Sequence, residues 1–82
     1  MKQLLKFSAS WCGPCKSLSM NIKNVELGDV ELKEIDIDEN LDMAKEYNIR
    51  GVPTLVLLED GKEVSRKSGV MPADKIEEFI RG

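Results

Sequence analysis

Two cysteines, Cys12 and Cys15, stand three positions apart in a chain of 82 residues that contains no histidine. Sulfurs this close have three ordinary uses: a redox pair, half of a metal site, or a structural staple. A staple is disfavoured, because a bridge across so short a loop removes little entropy from the unfolded chain. Zinc asks for four ligands, and here there are two thiols, no imidazole and no second cysteine pair. Only a dimer would complete a four-cysteine site. The redox pair is the better reading, and no metal is expected.

A disulfide needs Cα atoms about 4.4 to 6.8 Å apart, a limit that residues i and i+3 at the start of a helix meet. A helix is expected from Cys12 or Gly13, because Pro14 suits a first turn where its missing N–H costs nothing. The leading sulfur then lies among unpaired N–H groups at the positive end of the macrodipole, where a thiolate is favoured. Cys15, Leu18, Ile22 and Val25 recur at helical spacing and form a buried stripe, so Cys15 is the sheltered sulfur. Cys12 is expected to be exposed and to attack a substrate disulfide, and Cys15 to resolve the mixed disulfide by attacking Cys12. Gly13 and Pro14 set how easily the bridge opens.

The elements that must position this pair are legible in the alternation. Lys2 to Ser8 reads as a strand with Leu5 and Phe7 on one side, and Val30 to Ile37 as a second. Gly28-Asp29 marks the stop after the first helix. Asn40 is placed to cap a short helix from Leu41 to Tyr47, with Leu41, Ala44 and Tyr47 facing inward. After the loop Arg50-Gly51-Val52-Pro53, the apolar run Thr54 to Leu58 is a third strand. Asp60-Gly61 is a hairpin signal that returns Glu63 to Ser68 antiparallel. A last helix starts near Pro72 and buries Ile76, Phe79 and Ile80. The order β-α-β-α-β-β-α predicts an α/β sandwich, a four-stranded mixed sheet flanked by three helices on both faces.

Length and charge narrow the classes further. Residues 1–82 are too few for a second core, so one domain is expected. A net charge of −3 gives no cationic excess to displace counterions from phosphates, which argues against a nucleic-acid binder. The longest apolar run, Leu55 to Leu58, is far short of a membrane span. Met1-Lys2 leads into no signal-peptide core. These features set the expectation of a cytoplasmic protein, a compartment where disulfides are mostly transient and catalytic.

Trp11-Cys12-Gly13-Pro14-Cys15-Lys16 after a strand resembles the active site of the thioredoxin family. Gly51-Val52-Pro53-Thr54 is similar to the loop where that family holds a cis proline against the dithiol. Asp60-Gly61, Ser68-Gly69 and the closing helix fall in family order, so the resemblance spans nearly the whole chain. Without the strand and helix that precede the active site in longer members, the chain looks like the compact thioredoxins of phages and archaea, of glutaredoxin-like architecture. The resemblance implies a thioredoxin-like fold and a cis Pro53, which directs no N–H at the dithiol and frees the backbone of Val52 to pair with an extended substrate. It also implies Trp11 as a partly exposed lid, with Trp11, Val52, Pro53, Thr54, Gly69 and Val70 meeting substrate.

The implied activity is reduction of protein disulfides by a monomer with no bound cofactor other than the Cys12–Cys15 redox disulfide, itself reduced by a flavin-containing thioredoxin reductase. Two rivals stay open. One is a glutathione-fed, glutaredoxin-like reductase, disfavoured by Gly13-Pro14 and by the lack of an acidic residue after Ser68-Gly69. The other is a binding module that needs no thiols.

One departure concerns the support behind the cysteines. The family usually carries an acid six residues before the first cysteine and a lysine opposite it; here Lys6 and Glu34 hold those places, as if exchanged. Either Glu34, held by Lys6 and partly desolvated, moves the proton of Cys15 through water, or Lys6 extends to solvent and Glu34 is an ordinary surface charge.

Overall fold

In a computed structural model of the protein, residues 1–81 are described; Gly82, the last residue of the expected domain, lies outside them. Seven elements follow in the expected order: β1 (Lys2–Ser8), α1 (Gly13–Ile22), β2 (Glu31–Asp36), α2 (Leu41–Glu46), β3 (Thr54–Glu59), β4 (Lys62–Ser68) and α3 (Ala73–Arg81). The strands make one sheet in the order β2-β1-β3-β4. β1 and β2, joined through α1, run parallel, while β3 lies antiparallel to both β1 and β4.

The strand sequences explain this order. β3 is apolar at nearly every position and fills the sheet interior with both faces covered. β4 is exposed along its whole length and takes the edge. A bulge at Leu57/Leu58 lets the hairpin register slip by one residue, and Asp60 and Gly61 adopt the positive φ that the tight turn demands.

Side-chain alternation splits the core into two. Leu4, Leu55 and Leu57 pack with Leu18 and Ile22 of α1 and with Ile76 and Phe79 of α3. Leu5, Phe7, Ile35, Val56 and Leu58 form the opposite face, half-covered by Met43, Tyr47 and Ile49. There the Phe7 and Tyr47 rings tilt against each other, centroids 5.6 Å apart. Helices thus cover both faces of a mixed four-stranded sheet.

Three local expectations differ from the structure. Leu41, expected to face inward, is 62% exposed. α2 is only six residues long and buries none of its side chains fully, so its contact with the sheet is made by Met43 and by Tyr47 just beyond it. Asn40 precedes α2 without capping it; its side-chain amide instead donates to the Asp36 carbonyl at 3.1 Å. The first helix also ends at Ile22, well before Gly28. Val25 still reaches the core, from a turn whose N–H donates to Ile22 O at 3.0 Å.

Candidate functional site

β1 ends at Ser8, and a turn brings the chain to α1, with the Cys12 N–H donating to Ala9 O at 3.1 Å. Cys12 has extended backbone (φ −91°, ψ 107°) and is the N-cap of α1, with Pro14 in the first turn. The role usually filled by a Ser or Asp oxygen falls to sulfur: the Cys15 N–H donates to Cys12 Sγ at 3.1 Å. The two sulfurs are bonded, with Cα atoms 5.3 Å apart.

The expected difference in exposure is absent. Cys12 is 4% exposed and Cys15 2%, because Ala9, Ile37 and Val52 close around the bridge. What separates the sulfurs is what each one meets. Cys12 Sγ rests on the helix start and its amide donor, where negative charge is favoured. Cys15 belongs to the inward stripe with Leu18 and Ile22. Ala9 and Ile37 are contacts that sequence reasoning missed, since alternation places Ile37 on a face without saying that this face ends at a sulfur.

Trp11 is 69% exposed. Its indole Nε1 donates to Asp38 Oδ2 at 2.9 Å, and the Asp38 N–H donates to Asp36 Oδ1 at 2.8 Å. The ring is thereby tied to the turn after β2. Asp38 was also missed, although an aspartate two residues past another at a strand end is an Asx-turn signal.

The Val52–Pro53 bond is cis, and Pro53 is buried. Among the described residues, neither the N–H nor the C=O of Val52 is in a hydrogen bond, while its side chain reaches the disulfide cluster. Neighbouring groups are already committed: Gly69 N–H donates to Pro53 O at 2.9 Å, and Thr54 Oγ1 to Gly51 O at 2.8 Å. Thr54 is buried, so its hydroxyl braces the loop rather than facing outward. Gly69 needs its residue type, because φ there is +92°. Val70, half exposed, stands next to it. Gly13 is exposed at the start of α1, with nothing near enough to crowd a Cβ.

Behind the disulfide, an open cleft of about 380 Å³ is lined by Cys15 and Ser19 of α1, Lys6 and Ser8 of β1, and Glu34 and Asp36 of β2. Lys6 and Glu34 are register partners across the parallel pair. Lys6 is nonetheless 2% exposed and Glu34 exposed, and among the described residues no ion pair joins them. Glu34 is therefore neither held by Lys6 nor desolvated, and Lys6 is buried along its length with only its tip at the cleft. Of the two alternatives drawn from the sequence, the first fails for want of the ion pair, and the second holds for Glu34, an exposed surface charge, but not for the buried Lys6. Among the described residues, no three potential ligands cluster as a metal site.

This architecture, with a bridged pair at a helix start and the residue before a cis proline packed against it, is that of thiol–disulfide oxidoreductases of the thioredoxin-like fold. The profile of the Thioredoxin family matches residues 1–82, and the chain belongs to that family. It is 39% identical over 79 residues to a thioredoxin of Chlamydia trachomatis, covering 94% of this chain and 78% of that one. With a mitochondrial thioredoxin of Bos taurus the identity is 35% over 81 residues, and the chain spans 49% of that longer protein. A solved thioredoxin mutant from Halobacterium salinarum NRC-1 superposes with a TM-score of 0.90 at 40% identity, over 98% of this chain and 72% of the other.

Proposed function

We propose that the protein runs in the reducing direction, as a monomeric cytoplasmic reductase of protein disulfides, one domain over residues 1–82, recharged by a thioredoxin reductase. The observation that carries this reading is the amide of Cys15 aimed at Cys12 Sγ. A thiolate formed at Cys12 would find a donor already in place, the arrangement that makes a cysteine a ready nucleophile.

The Cys12 thiolate attacks one sulfur of a substrate disulfide; the substrate bond breaks, and the departing sulfur takes up a proton. Cys15 gives its proton to water and attacks Cys12 Sγ, closing the bridge found in the structure. The second substrate sulfur leaves and is protonated. Two electrons pass from the dithiol to the substrate. The unpaired N–H and C=O of Val52 are suited to hold an extended substrate segment as an added strand. Trp11, Val52, Gly69 and Val70 offer it an apolar rim.

The test is a pair of variants. Cys15→Ser should accumulate mixed disulfides through Cys12, and Cys12→Ser should lose all disulfide reduction. Turnover of the unmodified protein should follow added thioredoxin reductase and NADPH, not glutathione. A Cys12→Ser variant that still reduces disulfides would end this reading.

A further inference from the structure

Lys6 is the one charged residue among the described residues that the fold buries. It shares a face of β1 with Leu4, since Leu5 and Phe7 face the other core, so it points beneath α1. No hydrogen bond or ion pair engages its ammonium among the described residues, yet no buried nitrogen there is without a partner. The nitrogen is therefore wetted, and the water that wets it is that of the cleft lined by Cys15. A cation on the wall of the cleft that Cys15 also lines, partly enclosed and not paired off, acts on whatever charge forms there.

Resting on the dithiol reading above, we propose that Lys6 is a positioning residue for the resolving step: its ammonium stabilises the Cys15 thiolate that attacks the mixed disulfide. The proton leaves Cys15 for water in the cleft, which has the room and the polar walls to hold several molecules. The Cys15–Cys12 bond then forms as the Cys12–substrate bond breaks, and the substrate thiolate takes a proton from solvent. Lys6 keeps its own protons throughout.

Other charges face the same cleft, and their balance matters. Glu34 and Asp36 come from β2, Glu39 from the turn after it, and Lys16 from α1. Glu34, Glu39 and Lys16 are exposed, where water weakens their reach. Asp36 is half-buried, but one of its oxygens already accepts the Asp38 N–H. Lys6 is the only one of the five enclosed by the core, so its field is the least screened.

The test isolates Cys15 in a Cys12→Ser background and titrates it by thiolate absorbance. Lys6→Gln and Lys6→Met should each raise its midpoint by about one unit, a tenfold loss of thiolate at neutral pH. Lys6→Arg, which keeps the charge, should leave it near the parent value. In the protein with both cysteines, resolution should slow only about threefold, since a more basic thiolate is a better nucleophile and recovers part of the loss. An unmoved midpoint in the Gln and Met variants overturns the proposal. So does an Arg variant that titrates like the Gln variant, which would point to Lys6 as a proton acceptor instead. Neither result touches the dithiol reading, whose own failure would be disulfide reduction surviving Cys12→Ser.

Discussion

Leu4 and Lys6 stand two residues apart on β1, face the same side of the sheet, and lie beneath the same helix. At Leu4 the space between sheet and helix is filled by Leu18, Ile22 and residues of α3. At Lys6 the same layer opens into a polar cleft with Ser8, Ser19, Glu34 and Asp36 on its walls. Cys15 sits at the boundary, one turn before Leu18 on the same buried stripe. Half of this layer holds the fold together, and the other half is kept wet where a thiol must shed a proton. A core filled evenly along β1 would be more stable and would leave that proton no exit.

The largest effect is expected at the dry end. Leu18→Ala should cost about 2 to 5 kcal/mol of stability, since Leu18 is fully buried among large neighbours, and denaturant unfolding checks this directly. At the wet end the sign should reverse. Lys6→Met keeps the volume and removes a charge that the fold leaves only partly hydrated, so it should stabilise the fold by about 1 kcal/mol while slowing resolution. If Lys6→Met destabilises as Leu18→Ala does, the two ends do not differ in kind.

Smaller effects sharpen the contrast within the cleft. Glu34→Gln should change the rate and pH profile of disulfide reduction by less than about twofold, because an exposed carboxylate is well screened. A larger change would restore Glu34 as the proton carrier.

Smallest of all is an ion pair far from the cleft. The Arg66 guanidinium hydrogen-bonds the Glu63 carboxylate and holds it below the usual carboxylate range. Its stabilisation is present above the ordinary carboxylate pKa and is lost as pH falls through the lowered one. Solvent screening limits it to about 0.5 kcal/mol, and Glu63→Gln should remove that part of the acid sensitivity of unfolding.

Elements governed by local rules were readable from the chain. Pro14 after a capping position, the Cys15-Leu18-Ile22 stripe and the Asp60-Gly61 turn each name their structure through backbone geometry or periodicity. Distances between elements were not. Alternation puts Lys6 and Glu34 opposite each other and even in register, but says nothing of how far each side chain extends or which of them the helix covers. The exposure of Cys12 was misjudged for the same reason: Ala9, Ile37 and Val52 come from three separate segments, and no local pattern announces that they meet over a sulfur. Leu41 was assigned inward by spacing alone, in a helix too short for spacing to dictate packing.

The amide that faces Cys12 Sγ belongs to the main chain, and this has a practical corollary. Any residue except proline at position 15 still supplies it, so exchanging the second sulfur disarms the release step without blunting the first attack. The chain can be turned from a turnover catalyst into a snare by one atom's replacement, and nothing at the helix start has to be rebuilt for the snare to stay sharp.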